Sequence, residues 1–156
     1  MNKKRAIQQF RAIEKLRGDM RLAAQGWNSP FQILIATILS ARTLDETTIK
    51  ICGNLFEKYP NAFTLSRADP PVVQKIIRPI NFYKNKTTYI ISCSKILEKK
   101  YQGNIPLTFE KLIELPGVGS KTANVFLSEQ GVAAIGIDTH VYYIARYLGW
   151  TKATNP

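Results

Sequence analysis

Apolar residues in this chain recur at helical intervals almost from end to end, and no stretch alternates convincingly enough to predict a strand. The strongest stripe is Phe31, Leu34, Ile35, Ile38 and Leu39, entered through Ser29-Pro30, a serine suited to capping and a proline suited to the first turn. Ahead of it, Ala6, Phe10, Ile13 and Leu16 mark one face of a basic first helix. Behind it, Asp45 is expected to cap a helix that buries Ile49, Cys52 and Phe56 and stops at Tyr59-Pro60. Asp69-Pro70-Pro71 then opens a short helix leading to Ile77. The longest helix carries Tyr83, Ile90 and Leu97 at seven-residue spacing and ends at Gly103. Thr108 is expected to cap the next one, and Val141, Ile144, Ala145 and Leu148 line a helix after Asp138. Residues 61–66 and 102–107 read as short loops. The expectation is an all-α protein, and 156 residues suffice for one domain with a sizeable core.

One turn in this helical pattern carries chemistry. Leu112, Leu115, Gly117, Val118, Gly119 and Ala123 match a helix-hairpin-helix, in which two short helices meet at a tight Gly-X-Gly turn. Glycine permits positive φ and places no side chain between backbone and ligand. The second helix begins near Ser120, so its unpaired N–H groups and partial positive charge are available to a phosphate. Lys121 stands in that first turn, where the positive end of the helix dipole disfavours the ammonium form and favours a nucleophilic amine. Asp138 follows as a carboxylate partner, and it is also well placed to cap the helix starting near Thr139. A solvated lysine and a capping aspartate are the plainer readings of these two residues.

The charge balance agrees with a nucleic-acid partner. There are 22 Lys and Arg against 11 Asp and Glu, a formal net charge of +11, which attracts phosphates at long range. The longest mostly apolar run, Phe31 to Ala41, is too short to span a bilayer, and no secretory signal opens the chain. The expectation is a cytoplasmic, nucleoid-associated protein with no membrane partner. Cys52 and Cys93 have neither paired-ligand spacing nor a disulfide framework and read as buried thiols. His140, the one histidine, reads as a structural or phosphate-contacting residue, with no second ligand near it for a metal.

The strings LPGVGSKTA and IDTHV resemble the endonuclease III family of base-excision DNA glycosylases within the helix-hairpin-helix superfamily. SPFQILIATILSARTLDETT at 29–48, FYKNK at 82–86, GNIP at 103–106 and the closing YLGWTKATNP agree in order and spacing. The likeness covers nearly the whole chain, strongly from Ser29 onward. It implies one glycosylase-like helical domain over 1–156, with the hairpin at 108–128 and the N-terminal helix and residues 138–156 belonging to a second lobe that is partly missing.

For the site, the resemblance implies Lys121 as the amine that attacks C1′ of a damaged nucleotide and forms a Schiff base, with Asp138 steadying the charge. It implies DNA contacts at Leu115, Gly117, Val118, Gly119, Ser120 and His140. Arg42 falls in the region that fills the hole left by an extruded nucleotide, where bacterial members commonly carry glutamine. The implied partner is duplex DNA with a damaged base, of the oxidised-pyrimidine kind, or an abasic site, bound by a monomer. Departures are Asn81 for a usual glycine, where asparagine tolerates the left-handed conformation, and Tyr143, Arg146 and Tyr147 after Asp138. Family members usually continue past this point into further helices and often a four-cysteine iron-sulfur loop. The expectation is therefore no cofactor in this chain, and a non-catalytic duplex-binding module stands as the alternative to a glycosylase and abasic-site lyase.

Overall fold

The computed structural model describes residues 3–16 and 21–154, so the Asn155-Pro156 end of the family-like string lies outside the described residues. These form nine α-helices and no strand: α1 (Lys3–Glu14), α2 (Pro30–Ser40), α3 (Asp45–Lys58), α4 (Ala62–Ser66), α5 (Pro70–Ile76), α6 (Tyr83–Tyr101), α7 (Phe109–Ile113), α8 (Ser120–Glu129) and α9 (Thr139–Tyr147). The all-α expectation holds. The chain divides into two compact units, one running Arg21–Gly136 and holding α2 to α8, the other holding α1 and the segment from Ile137 onward.

In the larger unit α2 is the central helix. Ser29 caps it by accepting the Gln32 N–H, and Pro30 sits in its first turn. Leu34, Ile35, Ala36 and Leu39 are wholly buried, because α3, α6 and α8 pack around it. Each such leucine or isoleucine contributes about 2 kcal/mol on burial. Helix α6 supports α4 and α5, and α7 packs on α8. Cys52 and Cys93 are free and buried in this core, as the sequence suggests.

Three local expectations are corrected. Residues 61–66 are not a loop: Asn61 caps α4 by accepting the Thr64 N–H, and the Thr64 hydroxyl takes the Asn61 N–H in return, a capping box. Asp45 is the first residue of α3 and not its cap, a place taken by Leu44. Thr108 stands at the cap position of α7 but its side chain makes no capping hydrogen bond.

In the smaller unit the expected stripes are more open than their patterns imply. No residue of α1 is buried, and Phe10, Ile13 and Leu16 are exposed. Phe10 meets the Trp150 ring at 6.4 Å, and Trp150 Nε1 donates to Gln9 Oε1 at 2.8 Å. On α9 the buried residue is Tyr142, while Val141 and Ile144 on the expected face are exposed. Tyr142 is held by its polar tip, donating to the Ala153 carbonyl and accepting from Arg146 Nη1, each at 3.1 Å.

Candidate nucleic-acid interface and catalytic residues

The turn between α7 and α8 is fixed from below by apolar side chains. Leu112, Leu115, Val118, Ala123 and Phe126 are buried, so Leu115 and Val118 can meet a phosphate only through their backbones. The Val118 N–H is already spent inside the turn on the Leu115 carbonyl at 3.0 Å. The two glycines have different duties. Gly117 has φ +82°, and a Cβ there would stand 2.9 Å from Tyr89 Cβ and 3.1 Å from Ile38 Cγ2. Gly119 has an ordinary extended backbone, φ −94° and ψ 178°, and is the N-cap of α8 without a side-chain cap. A Cβ on Gly119 would meet nothing within 4 Å. The mouth of α8 is thus bare backbone facing outward, the form that accepts an anion.

Ser120 and Lys121 are the first two residues of α8 and both are exposed. Lys121 therefore stands in the first turn of α8, beside that mouth. Gly136 leans on the same helix, its missing Cβ making room for Val125 Cγ2 and the Lys121 carbonyl. Asp138 belongs to the other unit. It caps α9, its Oδ1 accepting the Val141 N–H at 2.9 Å, which is the plainer of its two sequence readings. His140 lies exposed in the first turn of α9.

Arg42 sits in the turn that follows α2, exposed and in the left-handed region at φ 57°. Its guanidinium lies 5.8 Å from the centre of the Phe82 ring. Phe82, also exposed, is left-handed at φ 60°, so the positive φ expected at Asn81 falls one residue later. The hairpin and the Arg42 turn share two supports. Ile38 of α2 and Tyr89 of α6 face Gly117, and the same two helices meet at the Arg42 turn through Lys86 of α6, whose Nζ donates to the Leu39 carbonyl at 2.7 Å.

Lys86 is the residue that sequence reasoning missed as part of the site. It is 5% exposed. Burial pushes it from 10.5 down to about 8, with Cys52 of α3 facing it and acting in the opposite sense. Its signal was present: Lys86 falls on the stripe that includes Tyr83, Thr87, Ile90 and Leu97, a lysine in a core position of a helix.

The family described as "HhH-GPD superfamily base excision DNA repair protein" matches residues 35–156. The chain belongs to this family. An endonuclease III of Thermotoga maritima is 42% identical over 128 residues, a match that covers 81% of this chain and 60% of the relative. A solved non-covalent endonuclease III–DNA complex superposes with TM-score 0.89 at 33% identity, covering 100% of this chain and 73% of that one. A trapped endonuclease III–DNA covalent intermediate gives 0.87 at 34% identity, covering 100% and 74%. The chain thus spans about 60% of the length of its Thermotoga relative. Helix-hairpin-helix geometry and the family match agree on the fold.

The iron-sulfur cluster often found in endonuclease III proteins needs four thiolates. This sequence has two cysteines, and burial pushes both up to about 12, so these residues do not fit such a cluster. Among the described residues there is no group of three His, Cys, Asp or Glu able to hold a metal. No helix among them is long and apolar enough to cross a membrane.

Proposed function

We propose that this chain excises damaged bases, of the oxidised-pyrimidine kind, from duplex DNA and cleaves the resulting abasic site through a lysine Schiff base. The observation that carries the reading is Lys121, an exposed lysine in the first turn of a helix whose N-cap, Gly119, carries no side-chain cap. A phosphate on that N-terminus would hold the sugar-phosphate backbone beside the amine.

The Lys121 nitrogen attacks C1′, and the glycosidic bond breaks with its electron pair leaving on the base. Ring opening gives the protonated Schiff base. Loss of a C2′ proton then expels the 3′ phosphate by β-elimination, and water releases the lysine. Asp138 is the proposed carboxylate that accepts the amine's proton and offsets positive charge on the sugar. These steps use an amine, a carboxylate and water, and call on no cofactor held by this chain. The proposed setting is DNA in the nucleoid, met by a monomer.

Incubation with an abasic duplex followed by borohydride should give a covalent protein–DNA adduct in the wild type and none above background in Lys121→Ala. Trapping that persists in Lys121→Ala removes the nucleophile assignment. A wild type that binds duplex but neither traps nor nicks it is a binding module.

A further inference from the structure

The turn that carries Arg42 is tied down at several points from α6 and the residues ahead of it. Lys86 Nζ donates to the Leu39 carbonyl at 2.7 Å, the Ala41 carbonyl at 2.6 Å and Thr43 Oγ1 at 3.3 Å, which uses all the donors of an ammonium. Two of these acceptors belong to the C-terminal end of α2, where carbonyls lack helical partners and the dipole favours a cation. Asn81 adds two more ties, its N–H to Thr43 Oγ1 at 3.2 Å and its Nδ2 to the Arg42 carbonyl. The Thr43 N–H closes the turn on the Ser40 carbonyl at 2.9 Å. Arg42 is thereby held left-handed, a conformation costly for any residue with a Cβ. Arg42, Leu44 and Phe82 stand exposed above this network. Lys86 is thus a buried lysine whose side-chain hydrogen bonds all go to the end of α2 and the turn that follows it.

We propose that Lys86, helped by Asn81, is a positioning residue that presets the Ala41–Thr43 turn so that Arg42 and Phe82 meet a distorted duplex as a fixed edge. This rests on the repair reading above. Presetting lowers the ordering cost of binding and so favours a duplex with a gap in its stack over an intact one. Neither Lys86 nor Asn81 touches DNA in this scheme, and both act through Arg42.

The test combines amide exchange in the free protein with binding to two duplexes of one sequence, intact or carrying a tetrahydrofuran abasic analogue. In Lys86→Met and Asn81→Ala the Thr43 amide should exchange roughly 10-fold faster, as expected for a locally opened turn. The abasic-over-intact affinity ratio should fall about 10-fold in Lys86→Met and in Arg42→Ala, and by about 10-fold in total, not 100-fold, in the double variant, because coupled residues are not additive. Wild-type exchange in both turn variants, or losses that multiply in the double variant, would overturn the proposal. Asn81 is exposed, so Asn81→Ala, combined with Arg42→Ala in the same way, decides between these outcomes if Lys86→Met does not fold. A wild type that shows no abasic preference overturns the repair reading itself, a result distinct from selective wild type with unaffected variants.

Discussion

A Cβ at Gly117 would face Tyr89 Cβ at 2.9 Å on a backbone with φ +82°, whereas one at Gly119 would enter open space on an extended backbone. Gly117→Ala is expected to cost about 2 kcal/mol, from left-handed strain and contact with a packed helix, read by chemical denaturation. Gly119→Ser is expected to do the opposite, stabilising by roughly 0.3 kcal/mol by capping α8. It should still weaken duplex binding, since its hydroxyl takes an amide that a phosphate needs; unchanged affinity would count against the hairpin as a phosphate site. Lys86 supplies a pH dependence. Burial holds its pKa at about 8 in the folded chain against 10.5 for a free lysine, so between these values the unfolded chain binds more protons and rising pH favours the folded form. The unfolding free energy of wild type relative to Lys86→Met is therefore expected to rise between about pH 8 and 10.5, and a flat difference would argue against the burial of a charge there.

At the scale of elements, Asp138 caps α9, and its proposed catalytic duty can be separated from that cap by substitution. Asp138→Ala removes the bond to the Val141 N–H and is expected to cost about 1 kcal/mol. Asp138→Asn keeps an oxygen for the cap and loses the charge, so its melting temperature should stay near wild type while borohydride trapping falls. Equal trapping in Asp138→Asn and wild type would leave the residue only its cap. The helices, the Ser29 cap and the hairpin's buried stripe were legible because a helix-period pattern with Pro and Gly punctuation specifies them locally. Helix α4 was not legible as read, since its capping box hides in a five-residue helix with too little periodicity to register. The Lys86 network was hidden for a different reason. Its acceptors are mostly backbone carbonyls far away in sequence, and carbonyls carry no residue-type signature.

For the whole molecule, the continuous string from Leu115 to His140 crosses from one compact unit into the other. The hairpin lies in the Arg21–Gly136 unit, while the Asp138 cap lies in the other. The residue pattern picks out both parts, but it records order along the chain and not the unit into which each residue packs; the expectation of a second lobe from residue 138 comes from the family resemblance alone. The net charge of +11 acts across the whole molecule. Duplex affinity is expected to fall on added salt with a log–log slope of about −0.9 per phosphate contacted, and a slope near zero would rule out the basic surface as the source of binding. The buried cysteines have a practical consequence. Cys52 and Cys93 are both enclosed and pushed up to about 12, so electrophiles in solvent find little thiolate to attack. A cysteine substituted for exposed Ser128 on α8 would be the one thiol open to maleimide, giving a fluorescent label close to the hairpin with both native cysteines left in place.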